Sequence, residues 1–123
     1  MPRILIIDDD DMVLQLVHET LTGAGCDVRT AKNGYDGLKQ VHRKHFDLII
    51  TDILMPEKDG VETIREVLQA DPGMKIIAMS GGGNWLTPEG GLTVARLLGA
   101  CRTLTKPVSP QLLVKEVYAA LAE

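Results

Sequence analysis

The feature that most constrains the fold of this chain is a regular alternation between short aliphatic runs and amphipathic stretches. Residues 4–7 form a continuous aliphatic run that is rich in β-branched side chains and too short for a helix, so they predict a strand buried on both faces. Apolar side chains then recur at helical spacing, at Val13, Val17 and Leu21. The glycines that begin at Gly23 predict the end of that helix. One strand is therefore followed by one helix.

The same unit repeats along the chain. Further strands are predicted over residues 26–31, 46–51, 75–80 and 102–105. After a turn predicted at Asn33-Gly34, a helix is predicted around Leu38 and Val41 and ends near His45. Further helices are predicted around Ile64, over residues 92–98 and after Ser109-Pro110. Five such units predict an α/β fold: a doubly wound five-stranded parallel sheet with five helices on both faces, in the flavodoxin-like order 2-1-3-4-5.

Length and charge narrow the classes of protein to which the chain can belong. The 123 residues suit one domain over residues 1–123, because a second would need ~100 more. The formal net charge of −4 argues against a nucleic-acid partner, since phosphate binding needs clustered Lys and Arg. No stretch approaches the ~20 apolar residues of a membrane span, and the amino terminus has no signal-peptide pattern. We therefore expect a cytoplasmic protein with no nucleic-acid and no membrane partner.

Polar side chains stand where four of the predicted strands end: Asp8 and Asp9 after the first, Asp52 after the third, Ser80 at the end of the fourth and Lys106 after the fifth. The carboxyl ends of parallel strands meet at one edge of the sheet, so we expect these groups to converge. Clustered carboxylates repel one another unless a cation lies among them, and an all-oxygen acidic site suits Mg²⁺. A carboxylate beside that metal can attack phosphorus and form an aspartyl-phosphate. The lysine and the serine would then contact the phosphoryl oxygens.

The chain resembles the receiver domain of bacterial two-component response regulators, of the stand-alone, single-domain type. The matching segments are ILIIDDD at 4–10, DLIITDILMP at 47–56, DG at 59–60, AMS at 78–80, GA at 99–100 and LTKP at 104–107. These segments are individually short, but their order and spacing together are specific, and the resemblance covers essentially the whole chain.

The resemblance implies a role for each residue of the predicted site. Asp52 is similar to the phosphoacceptor, which receives a phosphoryl group from a histidine kinase or a phosphotransfer protein. The remaining roles that it implies are Asp9 and Asp52 as direct Mg²⁺ ligands, the backbone carbonyl of Leu54 as a third ligand, Asp8 holding the metal through water, Ser80 as the switch hydroxyl and Lys106 as the phosphoryl partner. Asp10 and Asp11 match no required role, and we interpret them as the start of the first helix.

One position departs from the family. The family commonly has an aromatic residue three positions before the lysine, where this chain has Thr103. We therefore expect the signal to pass through the Ser80 loop and the predicted helix over residues 92–98. If the natural chain ends at Glu123, the expected output is a contact with a downstream protein, at a surface that the resemblance places on that helix, the fifth strand and the last helix.

Three alternatives compete with this interpretation. A degenerate receiver would act as an unphosphorylated interaction module. A small Mg²⁺-dependent phosphohydrolase of the haloacid dehalogenase type has an Asp-x-Asp signature, which Asp8 and Asp10 match superficially. A flavodoxin is disfavoured, because its first loop must bind a phosphate that four consecutive acids would repel. We expect no enzymatic activity beyond slow self-dephosphorylation.

Overall fold

A computed structural model describes residues 1–53, 60–81, 96 and 99–123. The strands are β1 (Arg3–Ile7), β2 (Asp27–Ala31), β3 (Leu48–Asp52), β4 (Ile76–Ser80) and β5 (Arg102–Thr105). They form one parallel sheet in the order β2-β1-β3-β4-β5. This confirms the predicted order 2-1-3-4-5.

The helices of the described part of the chain are α1 (Asp11–Gly23), α2 (Gly34–Arg43), α3 (Gly60–Ala70) and α4 (Pro110–Leu121). The additional helix predicted over residues 92–98 lies outside the described residues, apart from Arg96. Among the helices that the structure describes, none has both the length and the apolar character to cross a membrane.

Capping side chains explain where three helices begin. The Asp10 side chain accepts a hydrogen bond from the Met12 N–H at the start of α1, and the Ser109 side chain caps α4 ahead of Pro110. Both starts agree with the sequence prediction. The predicted Asn33-Gly34 turn is wrong, because Asn33 caps α2 by accepting from the Asp36 N–H and the helix begins at once.

The helices cover both faces of the sheet, as predicted. Side chains of α1 and α4 pack with alternate side chains of the strands in one core, which includes Val17, Leu21, Leu113 and Val117. Those of α2 and α3 pack on the other face with Ile64 and Val67. The aliphatic runs of β1, β3 and β4 lie between these layers, which is why they have no polar face.

Several predicted boundaries are wrong by one to two residues. The prediction began β3 at Phe46, whose side chain is buried in the α2 and α3 core, but sheet pairing begins at Leu48 opposite Ile4. The burial of Phe46 therefore reflects packing of its ring and not strand pairing. Likewise β2 begins at Asp27 instead of 26, β4 at Ile76 instead of 75, and α2 ends at Arg43 instead of near 45.

Candidate functional site

The sheet register brings the polar ends of the strands together. Ile7 pairs with Thr51, so the residues that follow them, Asp8 and Asp52, lie side by side at the carboxyl edge of the sheet. Asp8 is fully buried and Asp52 is 6% exposed. Ser80 ends β4 at the same edge and is also buried.

Three of these acids form a compact group. Asp8, Asp9 and Asp52 each offer a carboxylate oxygen, and these three atoms lie within 4.8 Å of one another. Asp9 is exposed while the other two are buried, so one side of the group faces solvent. An all-oxygen donor set of this kind fits a hard divalent cation such as Mg²⁺.

Lys106 supplies one positive charge to the group. Its ammonium Nζ donates to Asp8 Oδ2 at 2.7 Å and lies 3.3 Å from Asp52 Oδ2. The Lys106 backbone N–H donates to the Ser80 carbonyl, which ties the lysine to the end of β4. A single ammonium thus contacts two carboxylates in a group of three.

Burial changes how these groups ionise. Desolvation is the main cause that raises the pKa of Asp52 to about 6; Lys106 opposes the rise, while the charges of Asp8 and Asp9 add to it. Desolvation lowers the pKa of Lys106, but the hydrogen bond to Asp8 and the charges of Asp52 and Asp8 raise it by more. The net result is a raised pKa for Lys106. The group therefore has more negative charge than one lysine can neutralise, and a bound cation would relieve this excess.

Asp10 does not join the acid group. Its backbone N–H donates to Asp8 Oδ1 at 2.9 Å, while its own carboxylate caps α1. The Asp-x-Asp pattern of Asp8 and Asp10 therefore does not form a pair of facing carboxylates. The bond to Asp8 depends on the turn between β1 and α1, and the sequence analysis did not identify it.

Two further predicted positions are Leu54 and Thr103. Leu54, expected to offer its carbonyl, lies outside the described residues. Thr103 lies in β5, where its Oγ1 accepts a hydrogen bond from Arg96 Nη2 at 3.3 Å. A polar contact thus occupies the position at which an aromatic ring is common in the family that the chain resembles, and no motif in the sequence marks Arg96 as its partner.

Comparison with known proteins identifies relatives of the whole chain. The family model described as the response regulator receiver domain matches residues 4–118. Transcriptional regulatory protein GlrR of Escherichia coli is 34% identical over 121 residues, which is 98% of this chain and 26% of that protein. The chain therefore spans about a quarter of the length of that relative.

Solved structures agree in fold over nearly the full length. A CheY-like response regulator receiver domain protein from Methanospirillum hungatei superposes with a TM-score of 0.90 at 29% identity, covering 99% of this chain and 94% of that one. A receiver domain protein from Clostridium thermocellum gives a TM-score of 0.90 at 31% identity, covering 99% and 95%.

Proposed function

Because the chain belongs to the response regulator receiver domain family, we propose that it is a phosphoacceptor in two-component phosphorelay signalling and that Asp52 receives the phosphoryl group. The donor would be a sensor histidine kinase or a histidine phosphotransfer protein. The observation that carries the proposal is the position of Asp52, buried at the carboxyl edge of the sheet beside two further acids and one ammonium. Residues 1–123 would constitute the receiver domain.

The acid group would hold the Mg²⁺ that this chemistry needs. Asp9 and Asp52 would be direct ligands, together with the carbonyl of Leu54. Asp8 would act through water, which is consistent with its hydrogen bonds: Oδ1 accepts from the Asp10 N–H and Oδ2 from Lys106. When bound, the metal would neutralise charge on the phosphoryl oxygens.

The chain's own groups account for the rest of the transfer. A carboxylate oxygen of Asp52 attacks phosphorus, the new O–P bond forms as the bond to the donor atom breaks, and the donor leaves with that electron pair. Lys106, already 3.3 Å from Asp52 Oδ2, would pair with a phosphoryl oxygen. Ser80, which ends the adjacent strand, would donate its hydroxyl to another oxygen.

The output would be a changed protein contact. Movement of Ser80 and the residues after it toward the phosphoryl group would alter the surface that includes residues 92–98, β5 and α4, and a downstream protein would bind one state in preference. Thr103 would lie on this route, and its hydrogen bond from Arg96 supports that assignment. We expect this signalling to take place in the cytoplasm.

Phosphorylation by a small donor tests the proposal. With Mg²⁺ and acetyl phosphate, intact-protein mass spectrometry should show a gain of one phosphoryl group for the wild type and for Asp71→Asn. Asp71 is a matched control because it precedes β4, at the opposite edge of the sheet. Asp52→Asn should gain nothing.

Two results would overturn the proposal. A wild type that is never phosphorylated would favour an unphosphorylated interaction module. Sustained turnover of phosphomonoesters would indicate a hydrolase; self-limiting loss of the protein's own phosphoryl group would not.

A further inference from the structure

Asp10 lies between β1 and α1, next to the acid group without belonging to it. Its side chain is exposed, so the core does not require a particular residue there. Its polar atoms nevertheless make three hydrogen bonds, one toward the acid group and two toward α1.

The first contact holds Asp8. The Asp10 backbone N–H donates to Asp8 Oδ1 at 2.9 Å, and Lys106 donates to the other oxygen, Oδ2, at 2.7 Å. Asp8 is fully buried. Its carboxylate is therefore oriented by a donor at each oxygen, and Asp10 provides one of them.

The second contact fixes the direction of that donor. Asp10 Oδ1 accepts from the Met12 N–H at 2.9 Å, and the Asp10 carbonyl accepts from the Leu14 N–H at 3.0 Å. The backbone of Asp10 is extended, as is usual for a residue that caps a helix. The carboxylate and the carbonyl thus both anchor Asp10 to the first turn of α1.

We infer that Asp10 is a positioning residue of the metal site: its capping bond to α1 holds its N–H on Asp8 Oδ1 and thereby keeps the Asp8 carboxylate oriented toward the acid group. The inference rests on the proposed function, because it assigns the effect to Mg²⁺ binding. Asp10 would act through Asp8, because its own carboxylate is engaged at α1.

The test compares Mg²⁺ affinity in folded variants by calorimetric titration of the metal alone. Asp10→Ala removes the capping acceptor and should weaken Mg²⁺ binding by about tenfold, the lower end of the effects for partners of metal-site ligands. Asp10→Gly removes the same acceptor at a smaller cost to the helix and should weaken binding similarly. Asp10→Asn keeps the acceptor without the charge, so its affinity should stay near that of wild type and clearly above that of the Ala and Gly variants.

A second capping residue provides the matched control. Asn33 caps α2 by accepting from the Asp36 N–H at 2.8 Å. Asn33→Ala should lower the melting temperature to a similar extent as Asp10→Ala while leaving Mg²⁺ affinity unchanged. Circular dichroism of each variant establishes that the compared proteins are folded.

Each outcome decides the inference. Weak binding by the Ala and Gly variants with near-normal binding by the Asn variant supports it. It is wrong if Asp10→Ala binds like wild type, if the Ala and Asn variants weaken equally, because charge alone would then be responsible, or if Asn33→Ala weakens binding as much. A wild type that binds no Mg²⁺ would reject the proposed metal site and this inference together, whereas the other negative results leave the metal site standing.

Discussion

Two clusters of charged side chains lie at opposite edges of the sheet and are built from similar ion pairs. The carboxyl-edge cluster consists of Asp8, Asp9, Asp52 and Lys106. The amino-edge cluster consists of Arg102, Glu116 and Glu123. The distances are alike, since Lys106 Nζ lies 2.7 Å from Asp8 Oδ2, while Arg102 Nη1 lies 2.8 Å from Glu116 Oε2 and Arg102 Nη2 lies 2.5 Å from Glu123 Oε1.

The clusters differ in burial. In the amino-edge cluster the Glu116 and Glu123 side chains are 22% and 48% exposed, so water solvates their charges. In the carboxyl-edge cluster the Asp8 side chain has no exposure, and desolvation raises the pKa of Asp52. The comparison teaches that ion pairs of similar length can differ in electrostatic environment, because only the carboxyl-edge cluster holds a buried excess of negative charge.

The largest effect should appear when the carboxyl-edge cluster loses its cation. Lys106→Met leaves the charge of the buried Asp8 unpaired and should lower the free energy of unfolding by about 3 kcal/mol without metal, as for other broken buried pairs. Urea titrations in the presence of a chelator measure this. The double variant with Asp8→Asn should recover much of the loss, and equal losses in single and double variants would contradict the account.

The pH dependence of stability sharpens the comparison further. The pKa of folded Asp52 is raised from 3.8 to about 6, so the folded state binds this proton more tightly than the unfolded state does. The stability contributed by this proton is complete below pH 3.8 and is lost as pH rises toward and through about 6.

Asp52→Asn should therefore be more stable than wild type at neutral pH in chelator, by on the order of 1 kcal/mol or more. The difference between the two proteins should shrink as pH falls. Thermal unfolding followed across this pH range tests the sign, and a wild type that is the more stable protein at neutral pH would contradict it.

The smallest effect is expected at the amino-edge cluster. Glu116→Gln removes a solvated partner of Arg102 and should cost about 0.5 kcal/mol or less, a cost that decreases further as salt is added. Urea titrations at low and high salt measure it. A loss as large as that of Lys106→Met would mean that burial is not what separates the two clusters.

Much of the fold could be predicted because local signals and the tertiary structure agree. The aliphatic runs pack between two helical layers, so they appear in the sequence as strands without a polar face. The pair Ser109-Pro110 is a specific signal for a helix start, and α4 begins there. The pair Asn33-Gly34 is ambiguous, because it suits either a turn or a helix cap. In the structure Asn33 caps α2.

The convergence of the polar side chains at one edge of the sheet could be predicted, but their burial and hydrogen bonds could not. Asp8, Asp52 and Lys106 lie at or directly after the ends of strands. Because parallel strands end at the same edge of a sheet, these residues meet there regardless of how their side chains pack. The bond from the Asp10 N–H to Asp8, and that from Arg96 to Thr103, depend on turn geometry and on contacts between distant segments. The sequence contains no periodic signal for either.

The most direct test of the central claim is to locate the modified residue. After phosphorylation with acetyl phosphate and Mg²⁺, borohydride reduces an aspartyl-phosphate to homoserine, and peptide mass spectrometry then locates the product. The account predicts homoserine at position 52 alone, and none when Mg²⁺ is removed by a chelator. Homoserine at another aspartate, or none anywhere in the Mg²⁺-treated protein, would contradict the claim that Asp52 is the phosphoacceptor.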